Sequence, residues 1–162
     1  MRRKLLLKGA SQVATPMGQG PIAGPDMGNI AVLEHGAIWV EDGKISDVGD
    51  SDEMSERYAR FADDLVDVNG RAVIPGFVDA HTHAVFTGDR AHEFEWRLSG
   101  RSYTEILADG GGILYTVERT RQADEARLLD DLMERLDAML VLGTTTAEVK
   151  TGYGLETVTE LR

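Results

Sequence analysis

The stretch from Val73 to Arg90 constrains the chain more than any other; it reads Val-Ile-Pro-Gly-Phe-Val-Asp-Ala-His-Thr-His-Ala-Val-Phe-Thr-Gly-Asp-Arg. Its apolar lead, Val73, Ile74, Phe77, Val78 and Ala80, does not alternate with polar residues, which is the pattern of a strand buried on both faces. Side chains two apart on a strand share a face, so His81 and His83 project to the same side. Polar rings at the end of a buried strand need a partner, and one divalent cation can serve both. A His-x-His triplet also occurs as two ordinary hydrogen-bonded histidines. The metal reading gains from its setting, because a Gly88-Asp89-Arg90 loop follows and parallel α/β barrels carry their chemistry at the C-terminal ends of their strands.

Composition narrows the ligands and partners. There is no cysteine, so a metal would be held by imidazole and carboxylate, which suits zinc or iron. Seventeen basic residues against 28 acidic ones give a formal net charge of −11, which repels nucleic acid and anionic membranes. Lysine occurs only at Lys4, Lys8, Lys44 and Lys150, a balance that fits a high-salt cytoplasm and an ordinary acidic protein equally. The apolar run that starts the chain stops at Leu7 before Lys8, too short for a secretory leader, and no window reaches the length of a membrane span. A cytoplasmic location is expected.

Along the chain, Lys4 to Leu7 is a short candidate strand, and Gly9 to Asn29, rich in Gly, Pro, Ser and Gln, is expected to be an irregular, mobile loop. Ala37–Val40 and Lys44–Val48 flank Asp42-Gly43 as a hairpin. Asp52 to Ala62 reads as a weak helix; Leu65–Val68 and Arg71–Ile74 flank Asn69-Gly70 as a second hairpin. Pro75-Gly76 then marks a boundary between a small β-rich unit, 1–74, and an alternating strand and helix pattern, 75–162. Ser102-x-x-Glu105 is a capping box for a short helix that Gly110, Gly111 and Gly112 end as a close-packed turn. Leu129, Leu132, Met133, Leu136, Met139 and Leu140 form an apolar stripe on a helix from about Ala123 to Leu142, expected to be core. Gly143 ends it, and Thr144 to Lys150 is the next parallel strand, with Glu148 and Lys150 paired on one face. The loop after that strand puts Tyr153 on the same rim as His81 and His83.

Pro75-Gly-Phe-Val-Asp-Ala-His-Thr-His resembles the first barrel strand of the metal-dependent amidohydrolase superfamily. Phe86-Thr-Gly-Asp-Arg-Ala-His-Glu-Phe, Gly110-Gly-Gly-Ile-Leu-Tyr-Thr-Val and Glu148-Val-Lys-Thr-Gly-Tyr-Gly-Leu resemble, more narrowly, the imidazolonepropionase family; the similarity runs from Leu5 to Arg162. Thr151 departs from it, where the family usually has serine. The resemblance implies an α/β fold in which the start of a (β/α)8 TIM barrel follows a small β-rich, β-sandwich-like unit. It implies His81 and His83 as the first two ligands of one zinc or iron ion, Arg90 as the residue that holds a substrate carboxylate, and Tyr153 as a substrate contact, with Tyr103 nearby. His92 fits neither metal pair and is expected to orient the Arg90 loop. The implied partner is a small molecule, 4-imidazolone-5-propanoate, opened to N-formimidoyl-L-glutamate in histidine degradation.

The same resemblance makes the chain an N-terminal portion. About 90 residues follow from Pro75, against about 250 for such a barrel, and the family's further histidine, acid/base glutamate and metal-binding aspartate belong to later strands. The catalytic group is therefore expected beyond Arg162, and the chain alone is expected to bind metal weakly without turnover. Two alternatives stay open: a non-catalytic remnant and a sister amidohydrolase acting on another cyclic amide or deaminase substrate; a barrel with an open edge is also compatible with a homo-oligomer.

Overall fold

The computed structural model describes residues 3–18 and 20–162, and they divide into two compact units that meet between Pro75 and Gly76. Met1, Arg2 and Gln19, which fall within the leader and loop expectations, lie outside the described residues.

The first unit is one four-stranded mixed sheet in the order β3-β2-β1-β4, formed by β1 (Lys4–Pro16), β2 (Ile30–Glu41), β3 (Lys44–Asp50) and β4 (Asp64–Asp67). Helix α1 (Ser51–Tyr58) follows β3. Leu6, Ala37, Trp39 and Met54 form the core on one side of the sheet, where Trp39 stacks on Tyr58 with ring centroids 4.7 Å apart. Ala10, Val13 and Ile38 form the core on the other side, flanked by Leu7, Leu33 and Val73. Asp50 caps α1 by accepting hydrogen bonds from the amides of Asp52 and Glu53. Among the described residues the unit is a single mixed sheet with α1 packed on it.

The Asp42-Gly43 hairpin forms as expected, with both residues at positive φ. Two other expectations are corrected. The strand that starts at Lys4 does not stop at Leu7: it runs to Pro16, and Ala10 to Pro16 pair in register with Gly36 to Ile30, so of the described residues of the expected loop only 17, 18 and 20–29 lie outside strands, with a 3-10 turn at Gly24–Gly28. The extension was hidden because its residues, Ser11, Gln12 and Thr15 among them, are mostly exposed and carry no alternation to read. The second hairpin does not form either. Asn69 and Gly70 do make a tight turn with positive φ, closed by the Arg71 amide on the Val68 carbonyl at 3.1 Å. The segments on either side of it both run parallel to β1: β4 pairs with Leu5 to Lys8, and Val73 bridges to Val13. Beside this turn β1 carries a bulge, where Lys8 and Gly9 together face Ala37. The kink at Asn69-Gly70 follows that bulge, and the Gly70 amide bonds the Gly9 carbonyl at 2.7 Å.

The second unit holds two parallel strands, β5 (Phe77–Thr82) and β6 (Thr144–Val149), joined through helices α2 (Ala91–Leu98), α3 (Tyr103–Ala108), α4 (Ile113–Gln122) and α5 (Glu125–Val141); α6 (Thr157–Glu160) follows. Gly76 lets the strands meet, since a Cβ there would stand 2.1 Å from the Thr145 hydroxyl. The capping box on α3 is complete in both directions, and Asp124 caps α5 through the Arg127 amide. Gly111 packs tightly in its turn, where a Cβ would stand 2.9 Å from the Ile106 carbonyl.

Burial differs from expectation here. Phe77 and Val78 on β5 are 55% and 69% exposed, and Leu129, Met133 and Leu140 on α5 are exposed as well. Apolar content tells what a face can bury; among the described residues β5 has one strand neighbour, and β6 is the element on which α5 packs most. The two buried positions of α5 are Leu128 and, unexpectedly polar, Asp131. No helix among the described residues is long and apolar enough to cross a membrane.

Candidate active site

His81 lies near the end of β5 and His83 just past it. Their rings come together, with the two Nε2 atoms 3.4 Å apart. Two ligand nitrogens of a tetrahedral zinc, each about 2.0–2.1 Å from the ion, stand about 3.3 Å from each other, so this spacing suits a shared ion. The Nδ1 atom of His83 is buried and without a hydrogen-bond partner among the described residues. Gly152, in the loop after β6, lies against that side of the ring; a Cβ there would stand 2.8 Å from Cε1 and 3.0 Å from Nδ1. The Gly152 amide is held in turn by the Glu160 carboxylate at 3.0 Å.

Tyr153 packs edge-on against the His83 ring at 5.6 Å and against Phe86 at 4.9 Å. Phe86 is itself held from α5. The Arg135 guanidinium lies 3.7 Å over the Phe86 ring and donates to the Ala84 and Phe86 carbonyls at 2.8 and 2.6 Å. Asp131 stands between Arg127 and Arg135. Hydrogen bonding from the Thr87 hydroxyl, followed by the charge of Arg127, holds the Asp131 carboxyl below the ordinary carboxylate range in spite of its burial.

Arg90 and Tyr103 form a second group. Both line a cavity of about 340 Å³ together with Glu93, Phe94 and Arg97. Glu93, only 7% exposed, accepts from the Gly112 amide at 2.6 Å, and its other oxygen lies 3.9 Å from the Arg90 guanidinium. His92 packs between Trp96 and Tyr115 at 5.0 and 5.1 Å and so braces α2 against α4. Glu148 and Lys150 are paired as expected, with Glu148 exposed and Lys150 partly buried.

A third His and carboxylate group was not foreseen. In the first unit His35, Asp50 and Asp52 each offer a ligand atom within 4.8 Å of the others, a set that could hold a metal ion. Asp50 is already engaged, capping α1 with one oxygen and meeting His35 Nδ1 at 3.0 Å with the other. Among the described residues no comparable third ligand joins His81 and His83. Glu93 and Arg135 were also missed; a buried acid or a clamp on a carbonyl leaves no trace in spacing.

No protein-family model matches the sequence. Curated relatives named imidazolonepropionase match nearly all of it. The Clostridium tetani protein is 46% identical over 158 residues, 98% of this chain and 38% of its own length. That of Haloarcula marismortui is 52% identical over 144 residues, 87% of this chain and 34% of its own. That of Symbiobacterium thermophilum is 49% identical over 159 residues, 98% and 37%. The resemblance to the imidazolonepropionases therefore holds along the chain, which spans little more than a third of their length. Among solved structures, Aspergillus niger ochratoxinase superposes with a TM-score of 0.54 at 19% identity, over 94% of this chain and 27% of that one. Escherichia coli guanine deaminase does so with a TM-score of 0.51 at 18% identity, over 91% and 30%. These likenesses show that the chain shares an α/β fold with portions of those two proteins; the described residues form no closed barrel.

Proposed function

We propose that this chain is the N-terminal portion of an imidazolonepropionase and supplies the first metal ligands and the substrate's carboxylate site, the rest of the centre coming from the whole protein. His81 and His83 hold one zinc or iron ion, and the observation that carries this reading is the 3.4 Å approach of their Nε2 atoms beside Tyr153, in a chain 46–52% identical to imidazolonepropionases. When bound, such an ion acidifies a water and polarises the ring carbonyl of 4-imidazolone-5-propanoate.

The chain's own side chains bind and orient. Arg90 takes the propionate with its planar, permanently charged guanidinium, and Tyr103 shares that cavity. Tyr153, resting on His83 and Phe86, lines the ring's position at the histidines. Phe86 and Arg135 keep the loop after β5 in place. Hydrolysis breaks the bond between the ring carbonyl carbon and nitrogen and gives N-formimidoyl-L-glutamate. A third ligand and the proton-transferring carboxylate come from outside residues 76–162, so this portion alone has no turnover.

The test is a ring-opening assay on the protein that carries this chain, loaded with zinc or iron. His81→Ala and His83→Ala are expected to abolish hydrolysis, and Arg90→Met to raise KM about ten-fold or more with a smaller change in kcat. Full activity in the histidine variants would refute the metal assignment. Indifference to Arg90→Met would point to a sister amidohydrolase whose substrate has no carboxylate.

A further inference from the structure

A carboxylate as buried as Glu93 must be compensated on each side. One oxygen accepts the Gly112 amide at 2.6 Å; the other faces Arg90 Nη1 at 3.9 Å. The main chain adds a third link, because the Glu93 amide bonds the Arg90 carbonyl at 2.9 Å. The turn it grips is rigid. Gly112 sits at φ +68°, a Cβ on Gly111 would stand 3.0 Å from the Glu93 carboxylate and 2.9 Å from the Ile106 carbonyl, and Gly112 lies against the Tyr103 hydroxyl. The turn that locates Tyr103 thus also locates Glu93.

We propose that Glu93 is a positioning residue that fixes the Arg90 guanidinium by tying it to the Gly110–Gly112 turn; this rests on the reading of Arg90 as the carboxylate-binding residue. A 3.9 Å approach is too long for a hydrogen bond, so Glu93 holds Arg90 by charge while leaving its donors for a ligand. Arg97, one helical turn pair further along α2, keeps the cavity net positive despite the buried acid. The flexible arginine side chain is thereby oriented before the ligand arrives, which lowers the ordering cost of binding.

The experiment measures, by calorimetry on the metal-loaded protein that carries this chain, the binding of imidazole-4-propanoate and of 4-propylimidazole, the analogue that ends in a methyl group in place of the carboxylate. Glu93→Gln keeps an acceptor for the Gly112 amide and removes the charge; Glu93→Ala removes both. The expected result for Glu93→Gln is roughly ten-fold weaker binding of the propanoate, the scale of one charge-assisted contact, with 4-propylimidazole and the melting temperature unchanged. Adding Glu93→Gln to Arg90→Met is expected to cause no further loss. Equal weakening of both ligands, or losses that add in the double variant, would make Glu93 merely structural and overturn the proposal. If Arg90→Met alone leaves propanoate binding intact, the carboxylate reading itself fails and the role of Glu93 falls with it.

Discussion

At the scale of single residues, the site depends on what is missing as much as on what is present. Gly152 has no side chain where one would strike His83. Gly152→Ala is therefore expected to turn the imidazole and lower metal affinity about ten-fold, in the range for losing an outer support of a ligand, while the circular-dichroism melt barely moves. Unchanged affinity would show that the ring has room to spare. His35 and Asp50 make a second residue-scale test. Hydrogen bonding to Asp50 raises the His35 pKa above its ordinary 6.5, and the same bond lowers Asp50 below 3.8. The raised histidine contributes stability below pH 6.5 and loses it as pH rises through its folded value; the lowered aspartate contributes above 3.8 and loses it as pH falls. His35→Gln should therefore cost stability in urea melts at pH 5.5 and nothing at pH 9, and an equal cost at both would exclude the ion pair. The effect is small, since both groups are exposed. The approach of His81 and His83 was legible because residues two apart along an extended segment share a face, and the extended backbone carries on to His83 just past β5. Gly152 and Glu93 were not legible, because proximity across some 20 to 70 residues has no signature in one sequence.

At the scale of elements, short-range chemistry was read well and pairing was not. The Asp42-Gly43 hairpin, the Ser102 capping box and the β5–α–β6 parallel unit all follow from local rules. Asn69-Gly70 shows the limit: the turn residues gave the correct backbone, yet the segments it joins pair with β1 rather than with each other. A turn fixes two residues; the longest strand nearby decides what the flanks do. Helix α5 holds the loop after β5 through Arg135, which satisfies two carbonyls and covers Phe86. Arg135→Met should lower stability by about 2 kcal/mol, the worth of charged hydrogen bonds lost in a half-buried place, and should broaden the Tyr153 ring signals in NMR spectra. Ser102→Ala, by contrast, should cost about 1 kcal/mol as a lost cap and leave the Tyr153 signals alone.

At the scale of the whole molecule, the contacts of the chain fall into two units, on either side of Pro75-Gly76. Leu129, Met133 and Leu140 of the stripe on α5 and Phe77 and Val78 of β5 are apolar yet exposed among the described residues, and this is why their burial was misjudged: hydrophobic periodicity reports a face prepared for a neighbour, whichever part of a protein supplies it. The central claim is that His81 and His83 act as a unit toward one ion. It is tested most directly by equilibrium titration of the metal-free protein carrying this chain with cobalt(II), a spectroscopic substitute for zinc, followed by visible absorption for the parent, His81→Ala, His83→Ala and the double variant. The account predicts one ion bound by the parent, a loss of at least ten-fold in affinity for each single variant, and little further loss in the double. Undiminished binding in both single variants, with the same spectrum, would contradict it.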